Sequence, residues 1–214
     1  MHHTFSDINK TINLQQPINN KCANKRIGLK SFTYTMGWYN LVEEYFQIGE
    51  IPTKITNGYY SFQQIANIFR FKNISLTVNE TNGIASLITP NELKISKGLR
   101  LVLGFGRNKR KFAENKTHYG ERPVDFAIYK NLYVHLLQLN TSNNYFNGSP
   151  STILSTVPVE NKNFGDIVSV RFEHPEYKQL AHGDISELSI IVCDENGQNI
   201  DNNKLPINCV LEII

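Results

Sequence analysis

The sequence predicts an all-β chain: an antiparallel β-sandwich with one short helix. Three observations carry that expectation. Segments with apolar residues at every second position fill the C-terminal half, from about residue 123 to residue 214. Turn chemistry separates them, as in Phe146-Asn147-Gly148-Ser149-Pro150 and Asp194-Glu195-Asn196-Gly197. Asn-Gly and Pro there supply the positive and the fixed φ that tight reversals require. Only one segment, opening at Ser61, joins a helical period to a helix-start signal.

Taken in order, residues 1–25 are polar and Asn/Gln-rich, with Phe5, Ile8, Ile12, Leu14 and Ile18 as scattered anchors. They predict a flexible N-terminal arm whose second half forms an edge strand, followed by one domain over residues 26–214. From Ile27 a strand is expected, with Ile27, Leu29, Ser31, Thr33 and Thr35 on one face and Phe32, Tyr34 and Met36 on the other. Both faces carry β-formers, which suits a central strand. Leu41–Ile48 shows no clear period and is left unassigned.

Ser61 and Gln64 have the spacing of a capping box, and Phe62, Ile65, Ala66 and Phe69 follow at helical spacing, so a helix is expected over about residues 61–69. Ile74, Leu76 and Val78 predict a strand, Asn82-Gly83 a turn, and Ile84–Ile88 the returning hairpin partner, ended by Pro90. Leu99–Phe105 reads equally as a strand or as a short helix ending at Gly104, and residues 106–120 as a long basic loop. Further strands are expected near 131–139, 152–159, 166–173, 185–193 and 207–213. In the last, Ile207, Cys209, Leu211 and Ile213 form one apolar row. Strands at this spacing argue for a sandwich, and no repeat of 20–50 residues is found.

The 214 residues carry a formal charge of +3, too little to imply a nucleic-acid binder. The charge is clustered, however. Arg107, Lys109, Arg110 and Lys111 fall within five residues, and Lys21, Lys25 and Arg26 form a second run. Each run reads either as a solvated loop or as a contact with genome phosphates, an acidic partner or a nuclear import receptor. Three cysteines, Cys22, Cys193 and Cys209, without a Cys-x-x-Cys pair, point to a reducing compartment. No secretory signal and no run of eighteen apolar residues is found, so no membrane association is expected. The sequons at Asn9, Asn73, Asn79, Asn115, Asn140 and Asn147 are read as unused, a consequence of abundant Asn.

Chemistry is scarce. The six histidines, His2, His3, His118, His135, His174 and His182, have no zinc-type spacing, and His135 alternates within a strand. No nucleophile elbow or Walker loop occurs, and Gly104-Phe105-Gly106 is not followed by a helix signal. The expectation is a protein that is not an enzyme, with no catalytic, cofactor-binding or metal residues to nominate and no cofactor. A rival expectation is an intracellular carbohydrate- or peptide-binding β-sandwich module, in which Trp38, Tyr39, Tyr59 and Tyr60 form an aromatic platform rather than core packing.

Several segments in fixed order resemble a known family. They are Ile27-Gly28-Leu29-Lys30-Ser31-Phe32 with Trp38-Tyr39-Asn40, then Asn57-Gly58-Tyr59-Tyr60-Ser61-Phe62, Leu103-Gly104-Phe105 and Pro123-Val124-Asp125. Asn131-Leu132-Tyr133-Val134-His135, Leu188–Ile191, Asp194-Glu195-Asn196-Gly197-Gln198 and Leu211-Glu212-Ile213 complete the set. In their order and spacing they resemble the minor capsid, or penton, proteins of Polinton/Maverick elements and the related adintoviruses. The resemblance covers nearly all the chain after residue 25. It implies a single jelly-roll antiparallel β-sandwich, five copies closing into a homopentamer at the five-fold vertices of an icosahedral capsid. The double-jelly-roll major capsid protein would surround that ring, the location would be the virion, and any contact with genome DNA would be weak. No Arg-Gly-Asp triplet is present, so an integrin-binding loop does not carry over.

Overall fold

The computed structural model describes every residue except 1, 6–9, 23, 107, 144, 147, 148 and 161. Strand outweighs helix by 48% to 9%, and every strand pair among the described residues is antiparallel, so the all-β expectation holds. The chain begins with β1 (His2–Phe5), β2 (Lys10–Asn20) and β3 (Arg26–Thr35). Next come β4 (Tyr45–Ile48), β5 (Ile51–Lys54), helix α1 (Phe62–Arg70), β6 (Ser75–Val78), β7 (Ile84–Ile88) and β8 (Leu93–Ile95). Helix α2 (Lys97–Val102), β9 (Lys111–Phe112) and β10 (Thr117–Pro123) follow. The last group is β11 (Asn131–Leu136), β12 (Tyr145–Phe146), β13 (Ser149–Pro150), β14 (Ile153–Pro158), β15 (Ile167–Arg171), β16 (Lys178–Gln179), β17 (Gly183–Cys193) and β18 (Ile207–Ile213). They form two compact units, residues 1–37 with 129–214, and residues 38–128 inserted between them in the chain.

The first unit contains eight principal strands: β1, β2, β3, β11, β14, β15, β17 and β18. The first pairs with the eighth, the second with the seventh, the third with the sixth and the fourth with the fifth. Cross-pairs β18–β3 and β11–β17 gather them into two sheets, ordered β1-β18-β3-β15 and β14-β11-β17-β2. A long antiparallel ribbon wound on itself gives this nested pairing, and that is a jelly roll. The segment expected as a flexible arm therefore supplies two of its eight strands. β2 does lie at a sheet edge. Its last residue, Asn20, is fully buried: its side-chain amide donates to the carbonyls of Leu180 (3.1 Å) and Ala181 (2.7 Å), and its Oδ1 accepts from the Lys25 N–H (2.9 Å).

The face assignment along β3 needs one correction. A β-bulge at Lys30 sets Ser31 opposite Val210 but Leu29 opposite Leu211, so the parity flips there. Ile27 and Leu29 before the bulge, and Phe32 and Tyr34 after it, are consequently all buried. A strict period of two assigns these pairs to opposite faces. The Tyr34 side chain is fully buried, and its hydroxyl accepts the Glu160 N–H at 3.1 Å, which satisfies that polar group inside the core.

The inserted unit has two small sheets, ordered β10-β7-β6 and β5-β4-β8-β9. Its own core is built from Phe46, Ile65, Phe69, Leu87, Leu93, Leu99, Phe105 and Phe112. Phe46 meets Phe69, and Phe105 meets Phe112, in edge-to-face contacts with ring centroids 4.8 and 4.9 Å apart. The expected helix is present, with Ser61 accepting the Gln64 N–H and Gln64 accepting the Ser61 N–H. Residues 97–102 form a second helix, which resolves the ambiguity at Leu99–Phe105. Gly104, at φ +78°, turns the chain out of it with its Cα packed on the Arg122 carbonyl, where a Cβ has no room. Within residues 106–120, expected as a loop, lie β9 and the first part of β10.

Candidate assembly surface

In the jelly-roll unit the sheet ends are β1, β15, β14 and β2. Exposed edges invite pairing with another chain unless they are short, charged or interrupted by Pro. β1 has four residues, β2 carries Pro17 and β14 ends at Pro158. β15 is less protected. Ile167 at its start is 73% exposed, Phe164 just before it is 45% exposed, and the only charge in the strand is Arg171 at its far end. The C-terminal strand β18, with its apolar row, is enclosed between β1 and β3. The poorly protected edge thus lies at β15. The outward row Ile167, Ser169 and Arg171 is the sequence signal that marks it.

Among the described residues, those singled out from sequence do not gather into one cluster. Trp38 is 3% exposed, so the aromatic platform lacks its largest member. Tyr60 packs against the core of the inserted unit and donates its hydroxyl to the Thr56 carbonyl at 2.8 Å. His135 is half-buried in β11, its Nδ1 3.0 Å from the Thr152 hydroxyl, and burial holds its pKa below the usual histidine value. Among the described residues no cluster of three His, Cys, Asp or Glu has metal-binding geometry. Cys193 and Cys209 are buried free thiols in different sheets of the jelly roll, and burial pushes the Cys209 thiol up to about 12.

The Lys21 run is partly neutralised by the Lys21–Asp184 ion pair at 3.2 Å. In the other run Arg107 lies outside the described residues. Lys109 stands over the Phe112 ring, 5.6 Å from its centroid, and Lys111 meets Glu92 at 3.3 Å. Of the sequon asparagines, Asn73 and Asn115 occupy left-handed turns at φ +60° and +53°, a position Asn tolerates better than most residues. Asn9 and Asn147 lie outside the described residues.

No protein-family model matches the sequence, and no curated protein matches it. Among solved structures, the mavirus penton protein superposes on the whole chain with a TM-score of 0.52, covering 97% of that protein at 10% identity. A chain of the Sputnik virophage, determined by cryo-EM at 3.5 Å, matches with the same TM-score and coverage at 12% identity. The fold is shared with a penton protein. At these identities the likeness carries the fold alone, and the nested strand pairing independently gives the same jelly roll.

Proposed function

We propose that this chain is a minor capsid protein that forms a homopentamer at the five-fold vertices of an icosahedral particle, contacting a double-jelly-roll major capsid protein around the ring. The observation that carries this reading is the jelly-roll pairing of eight strands, in a chain that aligns over its full length with the mavirus penton protein. The unprotected β15 edge supports it from a different side. Five-fold closure requires a heterologous contact in which one side of each subunit meets the opposite side of the next. An exposed Ile167 with Phe164 beside it offers an apolar anchor for one such side. An interface of roughly 800 Å² on each partner suffices for a stable contact. On this reading the protein resides in the virion and does no covalent chemistry.

Light scattering of the purified chain tests the assembly, with a mass five times that of the 24.5 kDa chain expected. A monomer at micromolar concentration, unchanged by adding the major capsid protein, overturns the pentamer. Particles whose five-fold vertices lack this protein overturn the function.

A further inference from the structure

The inserted unit carries a basic cleft whose cations come from separate stretches of sequence. The sheet β5-β4-β8-β9 buries Phe46, Leu93, Ile95 and Phe112 on one face. The other face therefore carries the alternate residues, and the pairing register lines up Gln47, Lys94 and Lys111 in one row across β4, β8 and β9. Tyr45 lies along the same face, 45% exposed, with its N–H donating to the Ser96 hydroxyl at 3.1 Å. Lys97 and Arg110 close the sides of a cleft of about 450 Å³. Arg100 is 3% exposed beneath it, donating through Nε to the Ile95 carbonyl (3.1 Å) and through Nη1 to the Gly106 carbonyl (2.9 Å), so its permanent charge is fixed in place.

The arrangement is unfavourable for folding alone. Lys94 and Lys111 are directly opposed on neighbouring strands, where like charges destabilise a sheet. Glu92 offsets only Lys111, through an exposed pair of 3.3 Å that solvent weakens. Lys94, Lys97 and Arg110 form no ion pair among the described residues. A multivalent anion seated in the cleft neutralises all four side chains at once.

We propose that this cleft binds a sulfated glycan. The cations form a compact block around one strand pair, which suits a ligand with several anionic groups on adjacent sugar rings better than a nucleic-acid strand with one charge per nucleotide. Tyr45 offers an aromatic face for a sugar ring, and the Gln47 amide a polar group beside it. The site rests on the inserted unit's own residues and stands or falls independently of pentamer formation.

The test is titration calorimetry of the full chain with a heparin-derived hexasaccharide, its desulfated counterpart, and a single-stranded oligonucleotide of equal charge. Saturable binding of the sulfated sugar alone is expected. Lys94→Gln with Lys111→Gln should weaken it about tenfold, with melting temperature unchanged or raised because a like-charge pair is removed. The control pair Lys21→Gln with Lys162→Gln makes the same change in net charge and should leave affinity within about twofold. Glu92→Gln should tighten binding by removing the competing carboxylate. If the strand variants do not fold, Lys97→Gln with Arg110→Gln, outside the strands, gives the same reading. Equal losses in the cleft and control variants, or no saturable binding, overturn the proposal. An oligonucleotide that binds as tightly as the sulfated sugar overturns the glycan assignment and makes the cleft a nucleic-acid phosphate site.

Discussion

Replacing Asn20 by Ala tests whether the N-terminal residues are structural strands or an appendage. Asn20 is fully buried, and its side chain makes three hydrogen bonds that tie the end of β2 to the Leu180–Ala181 backbone and to Lys25. Removing it forfeits those bonds, each worth about 1 kcal/mol net, and leaves partners with no replacement where they are buried. The expected loss is about 3 kcal/mol. For a chain of this size, where about 1 kcal/mol moves the midpoint by about 2–4 °C, melting should fall by about 6–12 °C. Asn20→Asp is a sharper control: it keeps the Oδ1 acceptor for Lys25 but aims a second oxygen at two carbonyls, so it should cost more than Ala at neutral pH. Scanning calorimetry reads both. A shift below about 2 °C for Asn20→Ala, the behaviour of a dispensable arm, would refute the strand reading.

Ile167→Lys at the β15 edge should lower the assembled mass by light scattering without lowering the melting temperature, since the side chain is 73% exposed; a pentamer of unchanged stability to dilution would place the interface elsewhere. Cys22 should react with a thiol reagent in the native protein while Cys209 reacts only after unfolding. Because Cys209 is raised from 9.0 to about 12, the unfolded thiol ionises first, so its contribution to stability is complete below pH 9 and is lost as pH climbs towards 12. His135 has the opposite sense: its lowered pKa gives stability above the ordinary value of 6.5 that fades as pH falls, and His135→Gln should flatten the melting curve's acid slope. Residues 38–128 should fold when expressed alone, with a dispersed amide NMR spectrum, because they hold their own aromatic core and because Asn40 ties Tyr60 to Phe126 near the unit's two ends; a spectrum without dispersion would count against it.

The parts of the fold legible in the sequence are those where one local rule acts over enough residues. β18 alternates over seven positions, and α1 announces itself through Ser61 and Gln64 before its apolar face begins. β4 and β5 fail that requirement: each has four residues, and β5 contains Pro52, so neither gives a period to count. β2 fails for another reason. Its burial begins only near Ile18 and Asn20, and a buried Asn looks like a loop residue until the carbonyls it satisfies are known. The bulge at Lys30 is likewise invisible, because the flip in parity depends on what β18 sets opposite it.

The basic cleft shows the same boundary between local and non-local information. Four cations between residues 107 and 111 are conspicuous in the sequence, and so is their ambiguity, since a solvated loop needs nothing more. What turns part of that run into a site is the pairing of Lys94 with Lys111, which no spacing within either segment encodes. The β8–β9 register brings the second segment's charge against the first, and Leu93 and Phe112 fix that register by meeting in the core. A slip of one residue would send Lys94 inward and Leu93 out. Core packing therefore holds two repelling charges in place, so neutralising Lys94 and Lys111 should leave the sheet intact while weakening the cleft's affinity. A sheet that loses its fold when that repulsion is relieved would mean that the two lysines also serve the structure, and the Lys97→Gln, Arg110→Gln variant then decides whether the cleft takes the anion.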